Sequence, residues 1–126
     1  MVAGTATADQ TICNGETPSS LSATAPTGGS GTFSYQWQIW DGDSWENIAS
    51  ANALTYAPGA LTATTKYRLQ QTDTYCSPDD VVNTNEVTIT VHAVLVAGTA
   101  TANQTICNGE TPSSLSATAP TGGSGT

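Results

Sequence analysis

Residues 2–32, "VAGTATADQTICNGETPSSLSATAPTGGSGT", return as residues 96–126 with one change, Asn103 where the first copy has Asp9. The offset of 94 residues, from 2 to 96, is longer than a solenoid unit and falls within the size of an independent small domain. The chain therefore reads as one complete unit over 2–95 and the leading strands of a second over 96–126. The second copy stops before the aromatic stretch that follows the first at Phe33, so one hydrophobic core is available. No Gly-Ser or Pro linker interrupts "TVHAVLVAGT", which predicts that consecutive units run closely from a last strand into the next first strand.

Apolar residues alternate rather than recur at helical spacing. In "FSYQWQIW", Phe33, Tyr35, Trp37 and Ile39 share one face and Ser34, Gln36 and Gln38 the other. "NEVTITVHA" sets Val87, Ile89 and Val91 against Thr88, Thr90 and His92, and "TKYRLQQTD" sets Tyr67 and Leu69 against Lys66, Arg68 and Gln70. Leu21, Ala23 and Ala25 form a smaller inward row. Turn signals separate these runs: "TGGSGT", the Asp-Gly step of "WDGDSW", "APGA" and "CSPDD". About seven short alternating strands predict an all-β, immunoglobulin-like antiparallel β-sandwich, with Trp37 as its buried tryptophan and Tyr67 at the position of a tyrosine corner.

The resemblance is more specific than the fold. "QTICNGETPSSL", "GGSGTFSYQWQ", "W.NI", "Y.PG.LT.TT.YR", a late cysteine and "N.VTITV" together resemble the tandem immunoglobulin-like repeats of very large secreted surface proteins of Bacteroidetes, including adhesins associated with gliding and type IX secretion. The likeness covers the whole unit. It implies a stalk or adhesin domain outside the cell, one of many copies, and no enzyme.

Cysteine usage suits that compartment if the thiols pair. A complete unit supplies Cys13 and Cys76, and the duplicated segment adds Cys107. Cys13–Cys76 is the expected bridge and Cys76–Cys107 the alternative. Closing the longer loop stabilises by roughly 4.3 kcal/mol and the shorter by roughly 3.7, too small a difference to choose between them. Three arrangements of residues 96–126 stay open: unpaired leading strands of a next unit, folding back onto their own domain, or completing a neighbouring chain by strand exchange into a homopolymeric filament.

Composition excludes whole classes of function. Ten acidic residues face only Lys66 and Arg68, a net charge of −8, which disfavours nucleic acid and anionic lipid as partners. No apolar run approaches a membrane span, and Met1 is followed by "VAGTATADQ" rather than a basic and then apolar signal, so either a signal has been removed or the chain is an excised piece. Catalytic ingredients are scarce: the single histidine, His92, sits on the expected wet face, and no nucleophile elbow or phosphate loop is present. No cofactor is expected.

Asp41 and Asp43, with Glu46 nearby, and Asp79 and Asp80, with Glu86, are weak calcium candidates because Ca²⁺ takes clustered carboxylates; the Asp-Gly hairpin turn accounts for the first group more simply. Trp40 and Trp45 flank that turn. They predict either a cross-strand aromatic pair or a small platform for stacking sugars. Lys66, the only lysine, has outward parity, which disfavours an isopeptide cross-link, and Asn103 opens a glycosylation-type triplet that Asp9 lacks. The expected role is a non-catalytic structural repeat of an extracellular adhesin stalk or surface fibre, whose partners are neighbouring repeats. A carbohydrate-binding module using Trp40 and Trp45 is the alternative.

Overall fold

The computed structural model describes residues 1–75 and 78–125. Its described residues contain no helix and form eight strands: β1 (Gln10–Cys13), β2 (Leu21–Ser22), β3 (Phe33–Trp40), β4 (Trp45–Asn47), β5 (Thr55–Tyr56), β6 (Thr65–Asp73), β7 (Asp80–Asn83) and β8 (Val87–His92). The chain is an all-β sandwich: a six-stranded sheet faces a small second sheet of β2 and β5.

The two long alternating runs make the centre of the large sheet. β3 and β6 pair antiparallel, with Phe33 opposite Asp73 and Trp37 opposite Leu69. The short Asp41–Ser44 turn returns the chain as β4 on the outer edge of β3, placing Trp45 opposite Trp40. The other edge of β6 is shared. β8 covers Thr65–Tyr67 and β7 covers Gln70–Asp73. The chain steps between them at Thr84, whose amide donates to the Leu69 carbonyl and whose hydroxyl accepts from the Leu69 amide, each at 3.0 Å.

β1 lies outside β8 and runs parallel to it, Gln10 opposite Ile89 and Cys13 opposite His92. The sheet is therefore mixed, not purely antiparallel as expected. β1 and β8 come from opposite ends of the unit rather than from one hairpin, so no tight turn constrains their relative direction.

The core forms where the inward rows meet. Leu21, Trp37, Leu69, Val87 and Ile89 are fully buried, with Tyr67 almost so. Tyr56 of the small sheet caps this layer, its ring centroid 6.3 Å from that of Trp37 and 5.8 Å from that of Tyr67. The indole N–H of Trp37 donates to the Ala53 carbonyl at 3.0 Å, satisfying the one polar atom that burial of this side chain would otherwise strand. Of the small inward row, Leu21 is buried and Ala23 packs against the core, but Ala25 is exposed, because β2 ends at Ser22.

The inward row of β6 continues past Tyr67 and Leu69 into Gln71 and Asp73, both fully buried. Gln71 accepts from the Gly4 amide and donates to the Thr24 carbonyl, each at 2.8 Å. Asp73 accepts from the Ser30 amide, the Ser30 hydroxyl and the Tyr75 amide. Both side chains are thus spent on seating the leading segment: Gln71 ties down its two extended limbs and Asp73 the glycine turn at its end.

Two outcomes follow. Leu21→Ala removes a fully buried side chain and is expected to lower unfolding free energy by about 2–5 kcal/mol, whereas Leu115→Ala, the same residue of the exposed second copy, should change it by less than about 0.5 kcal/mol; denaturant melts of both variants check this. Burial, reinforced by Tyr56, pushes the Tyr67 phenol up to about 12. The unfolded chain then loses its proton first, so stability is intact below about pH 10 and falls as pH rises towards 12. Ultraviolet titration should show one late-ionising tyrosine, and Tyr67→Phe should remove that step.

Candidate functional site

Outside the core, side chains converge on the opposite face of β3 and β6. Gln38 and Trp40 share parity on β3, Arg68 lies opposite Gln38, and Trp45 lies opposite Trp40. Alternation therefore gathers four such residues on one surface. The tryptophan rings sit 5.4 Å apart at 57°, and the Arg68 guanidinium stands 4.5 Å over the Trp45 ring. Gln38 holds the arrangement: its carbonyl accepts from Arg68 Nε at 2.8 Å, and its amide donates to Asn47 Oδ1 at 2.8 Å. Desolvation pulls the Arg68 guanidinium below its ordinary value, with the Glu86 carboxylate opposing.

Trp40 and Trp45 are thus brought together, as their positions beside the Asp-Gly turn predict. Both are half-buried, and Arg68 occupies a face of Trp45 that a sugar ring would need. The aromatic pair was legible from pairing parity. Arg68 was legible only as an outward cation, since its contact with Trp45 depends on the register between β3 and β6.

The acidic candidates have other partners. Asp41 Oδ1 accepts from the amides of Asp43 and Ser44 at 2.8 and 2.7 Å, and the Ser44 hydroxyl bridges to Glu46. These amide bonds, Ser44 first and then Asp43, hold the Asp41 carboxyl below its usual value. Asp41 is the cap of the hairpin turn, whose Gly42 takes φ +104°. Asp80 pairs with the chain's amino terminus at 3.1 Å, while Asp79 is exposed. Among the described residues no three His, Cys, Asp or Glu side chains gather as a metal site. Lys66 reaches Glu86 at 3.8 Å on the surface, in keeping with its outward parity. His92 ends β8 beside Cys13 and is half-buried rather than fully solvated.

Cys13 and Cys107 carry free, exposed thiols, and Cys76 lies outside the described residues. Cys13 sits level with His92, near the Thr65 end of β6, while Tyr75 lies beyond Asp73 at the other end.

The duplicated segment rebuilds the local frame of the first copy. Bridges Val2–Thr27 and Ala6–Ala23 recur as Val96–Thr121 and Ala100–Ala117. The reciprocal Gln10–Ser19 pair recurs as Gln104–Ser113, and the Glu16 cap on the Cys13 amide recurs as Glu110 on Cys107. At the junction, the Ala93 carbonyl accepts from the Gly123 amide at 2.8 Å. The neighbouring Gly122 has φ +79°, and a Cβ there would collide with the Val94 carbonyl, so glycine is required for this approach. The last residues of the first unit are therefore clasped by the glycine turn of the second.

Arg68→Ala should uncover Trp45, raise acrylamide quenching of tryptophan emission and lower stability by about 1 kcal/mol. Arg68→Lys should do so only in part, and quenching equal to that of the parent chain would remove the guanidinium from this cluster.

No curated protein and no solved structure matches the chain. Residues 2–93, which begin with the first copy of the duplicated segment and end just past β8, match one family. The chain thus belongs to the family described as a domain of unknown function (DUF8696).

Proposed function

We propose that the chain is a non-catalytic structural repeat of an extracellular adhesin stalk or surface fibre, in which successive sandwiches join end to end. The observation that carries this reading is the junction. The last strand of the first unit ends at His92, the second copy is already in its bridged frame by Val96, and in the three residues between them the Ala93 carbonyl accepts from the Gly123 amide while the Val94 carbonyl closely approaches Gly122. A connection this short and this tightly clasped restricts the angles between neighbouring units, as a load-bearing stalk requires. The acidic, lysine-poor composition suits a solvated exterior surface that repels its own kind. Neighbouring repeats of the same protein are the partners, met end to end along the chain.

A second reading, a carbohydrate-binding module, draws on the half-buried Trp40–Trp45 pair at the β4 edge. It requires a sugar to share that surface with Arg68. Retention on a glycan array that disappears with Trp40→Ala would establish it.

In chains carrying two to six copies of the 94-residue unit, small-angle scattering should give a maximum dimension that grows in proportion to copy number. Gly122→Val at each junction should shorten that dimension by freeing the joints. Scattering of the parent chains that follows a freely jointed string would sink the stalk reading.

A further inference from the structure

The two copies of one sequence have opposite surroundings. Ala6, Pro18, Leu21 and Pro26 are buried, and the matching Ala100, Pro112, Leu115 and Pro120 are exposed. Leu21 is 0 % exposed and Leu115 79 %. Ala100, Pro112 and Leu115 line an open hollow of about 430 Å³. In the first copy those side chains are covered by the body of the unit, residues 33–92. The body also supplies main-chain partners: Gln71 to Gly4 and Thr24, Asn85 to the Ala6 amide at 2.8 Å, and β8 to β1.

The frame of the segment does not depend on that body. Thr5 donates its amide to Thr24 Oγ1 at 2.9 Å, and Thr99 to Thr118 Oγ1 at the same distance; Thr24 and Thr118 return amide bonds to the carbonyls of Thr5 and Thr99. The second copy thus presents, already folded, the surface that the first uses for docking. The single difference between copies is compatible with the same seat. Asp9 Oδ1 accepts from the Thr88 amide at 2.8 Å, and the Asn103 side-chain carbonyl offers an equivalent acceptor.

The chain's own body is out of reach. Val2 lies at the Asp80 end, beside the amino terminus that pairs with Asp80, whereas the chain leaves the sheet at His92. From His92 to Val96 it spans at most about 14 Å. Retracing β8 from His92 to Val87 alone takes about 17 Å, and Asn85, the partner of Ala6, lies further still. Exchange between two intact chains gains nothing either. Each carries one body and two leading segments, so displacing residues 2–32 by a neighbour's 96–126 exposes as much surface as it covers and costs association entropy.

We propose that residues 96–126 are a preformed docking element for the body, residues 33–92, of a second copy of this chain whose own leading segment is absent. The body folds onto the segment in the register seen for residues 2–32, with its Gln71 and Asn85 taking Gly98 and Ala100. This rests on the repeat reading but is separable from it, since it concerns which surfaces meet and not how stiff the joined units are.

The test refolds the intact chain with a separate polypeptide of residues 33–95. A 1:1 complex by native mass is expected, with amide exchange at Gly98 and Ala100 slowed at least about 100-fold towards the protection of Gly4 and Ala6. Leu115→Asp in the intact chain, at an exposed position, should weaken the complex at least about 100-fold without altering the first unit. Absence of a complex overturns the proposal when the polypeptide stays soluble. If it aggregates, the same residues joined after Thr126 serve instead. An added body that folds equally well with Leu115→Asp, or leaves Gly98 and Ala100 exchanging as before, overturns the proposal. Slowed exchange in a string that scatters as freely jointed would keep the docking and remove only the stiff stalk.

Discussion

The buried amide of Gln71 is the interaction on which the arrangement of the unit turns. It takes the Gly4 amide with its carbonyl and gives its N–H to the Thr24 carbonyl, so one side chain of β6 fixes both limbs of the leading segment. Once the limbs are held, Ala6 and Leu21 lie over Trp37, Leu69 and Ile89, and the core closes. A buried amide left without these partners costs about 1–3 kcal/mol per unsatisfied group, whereas its satisfied bonds contribute less, so Gln71 acts mainly to specify where the segment sits. Asp73 performs the same task one step along the row, at the glycine turn.

Burying two polar side chains on the inward face of the longest strand departs from the apolar rule for a sandwich core. The departure has a physical reason. The leading segment contributes few large apolar side chains and much of its contact is main chain, from Gly4, Ala6, Thr24 and Ser30. Main-chain groups entering a low-dielectric layer need partners. Leu and Val cannot provide them, and Gln, Asp and Asn can.

The same logic explains the outer face. Arg68, Gln38 and Asn47 lie on alternating outward positions, yet they form a connected layer over Trp45 rather than a dispersed solvated surface. In a chain with two cationic side chains, placing one over an indole reduces the aromatic area open to water. The acidic turn beside it is organised by its own amides, which makes Asp41 a structural cap.

Much of the fold was legible in the residues. Alternation located β3, β6 and β8, the Asp-Gly step located the β3–β4 turn, and parity placed Trp37 inside and Trp40 outside. Continuing the parity of Tyr67 and Leu69 would have led to Gln71 and Asp73, but polarity argued against burial until their partners were known. The parallel seating of β1 on β8 and the separation of Cys13 from the far end of β6 were not legible, because both depend on contacts between residues distant in sequence. The duplicated segment divides the two kinds of information. By itself its sequence determined the local frame, the bridges, the Gln–Ser pair and the glutamate cap, since short-range hydrogen bonds form the same way in both copies. Only the tertiary structure decided that Leu21 is buried and Leu115 is not, because burial belongs to a side chain together with what covers it.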